Sequence, residues 1–357
     1  MAKPPDLSRV RRIYVRAPNW VGDFVMATAS FARLRAAFPQ AHIVLGARPM
    51  MRELCSGAGW FDDFLPMPRA GGLRGLWRQV RAVAAQRFDL AVVLPNSLET
   101  GLVPFLARVP LRLGYRQGRP LLMNLGLRAA TQRGLLAPRV GPRRVPVPMP
   151  RYYRALLDVL GIPGDGLHPE LAVTDAEDAW VRAELTRLGV GGDERLLVIV
   201  VGANFGASKL WVPERFGEVA RAFAARGLRP VLTVGPAEVE LGRRIAAGAG
   251  DRAVGLFDPV WPLDKLKALV ARAALMVTGD TGPRHLAVAF DRPVVCLMGP
   301  TDRRYTDYCT ERTALIQKDL ECVPCQRKVC PLGHHRCMKD ITVDEVVAAG
   351  ERLLGAR

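Results

Sequence analysis

Asp280, Thr281 and His285 stand together in the run LMVTGDTGPRHLAVAFDRPVVCLMGP, Leu275 to Pro300. A carboxylate, a hydroxyl and an imidazole on one turn supply donors and acceptors that apolar packing does not require. The run reads as buried strand, tight polar turn Gly279-Asp280-Thr281-Gly282, helix and second buried strand. Ligands of open α/β sheets bind at such strand ends. The glycines permit close backbone approach, and a new helix points free N–H groups and a positive dipole end at an anion.

Three further segments carry chemistry-bearing side chains. In Pro18-Asn19-Trp20-Val21-Gly22-Asp23-Phe24, a carboxylate falls in the first helical turn after a strand. Asp23 there is either a helix-capping residue or a general base for an acceptor hydroxyl. The segment lacks the GxGxxG of a dinucleotide site. In Val201 to Trp211, VGANFGASKLW, small residues with Asn204 and Lys209 follow another strand. Only seven of the 51 basic residues are lysines, so a lysine where arginine is the habit is informative. An ammonium at a diphosphate neutralises charge as a metal does elsewhere; the structural alternative is an exposed loop lysine. Glu238, after the strand end Thr233-Val234-Gly235, is placed to accept from ribose hydroxyls, although a helix-terminal Glu is also common.

A fourth cluster is Cys322-x2-Cys325-x4-Cys330-x6-Cys337, with His334 and His335 in the last interval. Four cysteines this close suggest a structural zinc knuckle, with a Cys3His set as an equal option. Disulfides, an iron–sulfur cluster and a redox switch are the competing readings. No catalytic metal is expected, because four thiols would close the site.

These residues need elements to position them. Short apolar runs alternate with amphipathic segments: strands at Arg12–Arg16, Ile43–Leu45 and Leu90–Leu94, helices at Phe24–Phe38 and Leu73–Gln86. That alternation is the pattern of a parallel sheet with crossover helices. A Gly/Pro/Asp stretch from Gly161 to Pro169 marks a boundary, after which the pattern restarts with a helix at Asp175–Leu188 and a strand at Leu196–Val201. We therefore expect two doubly wound α/β domains, 1–168 and 169–340, with a terminal helix in 341–357 and the default site in the cleft between the domains.

The charge is unevenly placed. The chain carries 51 Lys and Arg against 34 Asp and Glu, a formal +17, of which residues 1–170 hold +15. Between Glu99 and Asp158 there are eleven arginines and no carboxylate. An acidic partner for the first domain follows: nucleic acid, an anionic membrane surface, or a phosphorylated or carboxylated substrate. No leader segment or membrane-spanning run is read, so a cytoplasmic protein with mostly reduced thiols is expected.

Together, VGDFVMATAS, GANFGASKLW and TGDTGPRHLAVAFDRPVVCLMGPT resemble the glycosyltransferase family 9 proteins, the ADP-heptose:lipopolysaccharide heptosyltransferases. The likeness runs from about Arg12 to Leu354 and is greatest to the heptosyltransferase II branch, in which the run CxxCxxxxCPLGHHRCM also recurs. The resemblance implies a GT-B fold, two Rossmann-like domains facing across a cleft, with the last helix packing back on the first domain. It implies inverting, metal-independent transfer from ADP-heptose to the heptose/Kdo inner core of lipopolysaccharide. By position, Asp23 matches the proposed base and Lys209 the lysine on the donor phosphates. Asp280, Thr281 and Gly282 match the turn holding donor sugar and diphosphate, with His285 beside it and Glu238 near the ribose-binding acid. The family often has serine at Thr281 and apolar residues at Pro283-Arg284.

An acidic acceptor calls for cations, and Arg74, Arg78, Arg112, Arg116 and Arg119 are the candidates. Leu73, Leu76 and Trp77 would touch lipid headgroups, giving peripheral association with the inner membrane's cytoplasmic face. Of the rival classes, a nucleic-acid-binding protein explains the charge, but the basic stretch lacks interleaved aromatics and a recognisable module. An NAD-dependent oxidoreductase lacks its glycine fingerprint. A non-catalytic scaffold has no use for Asp23, Lys209 and Asp280 together.

Overall fold

Strands of parallel sheets are covered on both faces, so they read as nearly unbroken apolar runs. RLLVIVV at 195–201 and VVCLM at 294–298 are such runs, and every residue but Arg195 is buried. The computed structural model describes residues 6–132, 143–202 and 206–355. The chain divides into two units, Met1–Glu170 with Arg304–Thr306 and Leu171–Arg303 with Asp307–Arg357.

The first unit runs β1 (Arg12–Arg16), α1 (Val21–Ala37), β2 (His42–Ala47), β3 (Asp63–Pro66), α2 (Leu73–Ala84), β4 (Leu90–Val93), α3 (Leu98–Leu106) and β5 (Leu111–Gly114). The two-residue strands β6 (Thr131–Gln132) and β7 (Arg143–Arg144) pair antiparallel, and α4 (Met149–Asp158) follows. The main sheet is parallel in the order β3-β2-β1-β4-β5, with Ile13 of β1 beside both Ile43 and Leu90. Strand order reverses between β1 and β4, which is where such sheets open a ligand crevice. Tyr14, Val44, Val80, Val83, Ala91 and Val93 belong to its core.

The second unit runs α5 (Asp175–Arg187), β8 (Arg195–Val201), α6 (Pro213–Ala224), β9 (Leu228–Val234), α7 (Val239–Ala247), β10 (Val254–Leu256), α8 (Leu263–Ala271), β11 (Ala273–Gly279), α9 (Arg284–Ala289), β12 (Val294–Met298), β13 (Thr313–Gln317), α10 (Arg336–Lys339) and α11 (Val343–Gly355). Its six strands are parallel in the order β10-β9-β8-β11-β12-β13, so the reversal falls between β8 and β11. The doubly wound expectation holds for both units. In the terminal helix α11, Val346, Val347 and Ala349 bury in the second unit's core with Phe223 and Leu275. Ion pairs Lys318–Glu345 and Arg226–Glu351 fasten the same helix there.

Helix α5 starts with a capping box: Thr174 Oγ1 accepts from the Glu177 amide, and the Glu177 carboxylate accepts from the Thr174 amide. Glu177 also pairs with Lys267 of α8 at 3.2 Å, both side chains buried. Breaking a buried pair from one side leaves an uncompensated charge. Lys267→Met should therefore destabilise the protein by about 3 kcal/mol, and adding Glu177→Gln should recover part of the loss. Denaturant unfolding of the two variants checks this; equal stability of the single variant and the parent contradicts it.

Candidate functional site

In the second unit the chemistry-bearing residues gather over the carboxyl ends of adjacent strands. Lys209 closes the short 3-10 turn Ala207–Lys209 in the connection that leaves β8, and Asp280 follows β11 directly. The two therefore straddle the point where strand order reverses. Lys209 Nζ donates to the Asp280 carbonyl at 2.9 Å and to its Oδ2 at 2.6 Å. Thr301, just past β12, donates its hydroxyl to the same Oδ2 at 2.7 Å. Arg284 Nη1 lies 3.8 Å from Oδ1, and its side chain is fully buried.

Burial alone pushes the Asp280 carboxyl up. Lys209, then Arg284, then the hydrogen bonds from Lys209 and Thr301 overcome it and hold the carboxyl below its ordinary range. Two cations thus face one ionised carboxylate, and the excess positive charge suits an anion at the strand ends. The turn itself differs from expectation. The Thr281 amide is committed to the Gly279 carbonyl at 2.8 Å, and α9 behind it has only six residues. The helix dipole contributes little there, so Lys209 supplies the main charge. Thr281 Oγ1 lies 3.3 Å from Thr278 Oγ1.

His285 is buried beside this turn, its Nδ1 2.7 Å from the Tyr308 hydroxyl and the two rings stacked. Burial and then the Arg284 cation push its pKa down from 6.5 to about 3, so the ring is neutral at pH 7. The unfolded chain takes up this proton near its ordinary pKa and the folded chain does not. The folded state therefore loses stability as pH falls from 6.5 towards 3. The slope is at most about 1.4 kcal/mol per pH unit, and His285→Gln should remove that share of it. Denaturant unfolding at about pH 7.5 and about pH 5 measures the slope; identical slopes in parent and variant contradict a neutral buried imidazole.

Glu238 sits over the ends of the two adjacent strands β8 and β9. A Cβ on Gly202 would stand 2.7 Å from its Oε1, and Gly235 crowds Oε2 in the same way. Only glycine lets this carboxylate settle onto the strand ends. Asn204 lies outside the described residues.

In the first unit Asp23 stands in the first turn of α1, at the end of β1 beside the β1/β4 reversal. The N-cap residue is Trp20, which makes no side-chain cap bond, and the Tyr153 hydroxyl of α4 donates to Asp23 Oδ1 at 3.3 Å. Buried Arg16 shapes the loop before α1 through Ala17 O at 2.7 Å and Asn19 Oδ1 at 2.8 Å. Asn96, after β4, donates to the Tyr152 hydroxyl at 2.9 Å.

The five candidate acceptor arginines do not form one set. Arg74 and Arg78 are exposed on α2, alongside Trp77 and Leu73. Arg116 is half-buried. Arg119 is buried and donates to Tyr115 O, Ser97 O and Thr100 Oγ1. Arg112 donates to Leu122 O and Val109 O. The last two brace the loop after β5, because their guanidinium groups are committed to backbone carbonyls there.

The zinc knuckle finds no support. The four thiols are neighbours: burial first, then Cys325, Cys322 and Cys330, push Cys337 up to about 11. Yet among the described residues no group of three or more His, Cys, Asp or Glu converges as an ion requires. Cys337 turns into the core, while Cys330 Sγ accepts backbone amides, that of His335 foremost, which pull its thiol down. Among the described residues no helix is long and apolar enough to cross a membrane.

Arg284 was read from the sequence as a charge added near the donor, and it lies beside Asp280. Thr301, Tyr308, Tyr153 and Asn96 were not singled out, although Asn96 follows β4 at the reversal point and Thr301 follows the neighbouring strand β12.

Comparison with known proteins gives the arrangement its context. The chain is 28% identical to lipopolysaccharide heptosyltransferase 2 of Salmonella typhimurium, over 96% of this chain and 98% of that one. The Escherichia coli protein of the same description is 27% identical with the same coverage. The solved structure of E. coli ADP-heptose lps heptosyltransferase II superposes with a TM-score of 0.76 at 25% identity, covering 96% of this chain and 98% of that one. The glycosyl transferase family 9 structure from Veillonella parvula reaches 0.82 at 20% identity, with 97% and 98% covered, and so shares the fold. The family model for glycosyltransferase family 9 (heptosyltransferase) matches residues 76–336. That span contains the Lys209–Asp280 pair and the turn around it, and the chain accordingly belongs to glycosyltransferase family 9, the heptosyltransferases.

Proposed function

We propose that this chain transfers L-glycero-D-manno-heptose from ADP-heptose to the heptose/Kdo inner core of lipopolysaccharide, as a transferase of the heptosyltransferase II type. The observation that carries the reading is the Lys209–Asp280 pair at the strand-order reversal of the second unit, inside a heptosyltransferase family span. Relatives described as lipopolysaccharide heptosyltransferase 2 support the substrate class.

In this assignment the second unit takes the donor. Lys209 Nζ leaves Asp280 for the diphosphate, and Asp280 with Thr281 and Gly282 receives the sugar. Arg284 and Thr301 keep the Asp280 carboxylate partnered once Lys209 turns away. Glu238, settled on Gly202, accepts from the ribose hydroxyls. His285 is neutral and fixed by Tyr308, so it shapes the pocket without competing for the anion. Asp23 is the general base for the acceptor hydroxyl, oriented by Tyr153. Attack on the face opposite the departing ADP inverts the anomeric centre. We assign no metal to this step, since Lys209 carries the charge that the diphosphate develops.

The acceptor carries phosphates and carboxylates on a lipid anchor, and α2 is shaped for such a surface. Leu73 and Trp77 are exposed there with Arg74 and Arg78, and residues 64–88 contain five arginines and no carboxylate. Basic groups near an anionic leaflet contribute about 1 kcal/mol each. The affinity for anionic vesicles, read by co-sedimentation, should therefore fall by about thirtyfold in Arg74→Ala/Arg78→Ala, with no such change on zwitterionic vesicles. Unaltered sedimentation with anionic vesicles contradicts docking through α2.

Mass spectrometry of defined truncated lipopolysaccharide acceptors incubated with ADP-heptose tests the function. An acceptor ending in the first inner-core heptose should gain one heptose residue. No gain on any heptosylated or Kdo-terminated acceptor overturns the proposal.

A further inference from the structure

The cysteine-bearing segment has no role in the reaction as assigned, yet it is the structure against which the Lys209 turn is built. The Ser208 amide donates to Lys328 O at 3.1 Å, and the Ser208 hydroxyl donates to Arg327 O at 2.5 Å. Gly206 lies so close that a Cβ would stand 2.5 Å from Lys328 O. His335 Nε2 is 2.8 Å from the Ser208 carbonyl oxygen. A carbonyl only accepts, so Nε2 carries the proton and donates. The same segment reaches the other side of the site: the Gln326 amide donates to Pro300 O at 2.8 Å, next to Thr301. It thus fastens two connections, one bearing Lys209 and the other Thr301, and both of those residues contact Asp280.

His335 is itself held. It caps α10 in the left-handed region, at φ 55° and ψ 28°, and its amide bonds to the Cys330 sulfur. The buried Cys337 and Met338 of the next turn anchor α10 to the core. The imidazole therefore meets Ser208 from a fixed base, and Ser208 is the residue immediately before Lys209.

We propose that segment 326–335 braces the donor-site turn and that His335 is a positioning residue for Lys209, acting through the Ser208 carbonyl. The inference rests on the assignment of Lys209 to the donor's diphosphate. It gives Cys330 a mechanical purpose: its sulfur accepts the His335 amide and so helps shape the brace that sets the lysine.

The test is steady-state kinetics with ADP-heptose and a defined acceptor for His335→Asn, His335→Gln, Lys209→Met and the double variant Lys209→Met/His335→Asn. Asparagine tolerates the left-handed backbone but is too short to reach Ser208. Glutamine places its amide nitrogen where imidazole Nε2 stands. His335→Asn should raise the KM for ADP-heptose about tenfold, the worth of one hydrogen bond, with the acceptor KM unchanged. His335→Gln should restore it. In the Lys209→Met background His335→Asn should add nothing. Equal behaviour of the Asn and Gln variants, or an acceptor KM that rises in step, overturns the positioning role. An impaired Lys209→Met with a wild-type His335→Asn overturns the brace and leaves the donor assignment standing. A wild-type Lys209→Met overturns both.

Discussion

Asp23→Asn should lower turnover of ADP-heptose and acceptor by about 10²- to 10⁴-fold, the range for a lost general base. The substitution keeps the size and the acceptor oxygen that Tyr153 donates to, so the end of α1 should stay in place. KM for the donor should change little, because Asp23 belongs to the first unit and the residues proposed for the donor to the second. Thermal unfolding within a few degrees of the parent would establish that the fold is intact. Near-normal turnover with purified substrates would remove Asp23 from the chemistry and leave it as a helix-terminal residue.

Lys209→Met should be comparably severe for a different reason. In the proposed assignment the ammonium faces the diphosphate where leaving-group charge develops, and removing one such electrostatic stabiliser costs about 10²- to 10³-fold in rate. Methionine also leaves Asp280 with Thr301 and the more distant Arg284 at 3.8 Å. Some stability should be lost with the rate, since a nearly buried carboxylate loses its closest partner. Lys209→Arg separates the two effects: a guanidinium keeps the charge beside Asp280 but delivers it in a planar fork. Its stability should approach that of the parent while its rate stays depressed. Full turnover in Lys209→Met contradicts the donor assignment.

Both parallel sheets were legible because buried parallel strands leave long apolar runs, as at Leu196–Val201 and Leu275–Val277. The elements that escaped were short or locally discouraged. Strand β10 has three residues, α8 has nine, and α3 carries Pro104 in its interior. Such pieces form because the sheet and core around them are already specified, and local propensity does not announce them. Lys209, Asp280 and Glu238 were legible for one shared reason: each follows an apolar run where a parallel strand ends. Arg112 and Arg119 stood out by composition, which counts guanidinium groups without recording the carbonyls they donate to. The cysteines misled, since ligand-like spacing says nothing of whether the sulfurs converge. Cys337 was taken into the core and Cys330 by its own loop's amides. The contact between His335 and Ser208 joins positions 127 residues apart, a link that no local pattern records.

In the proposed mechanism Lys209 holds the nucleotide's diphosphate over the β8/β11 strand ends. Calorimetric titration with ADP, using adenosine as the comparator, measures this on the parent and on Lys209→Met. Lys209→Met should bind ADP at least about tenfold more weakly than the parent, in line with a charge-assisted contact, and adenosine equally well. ADP bound with equal affinity by both proteins would contradict it.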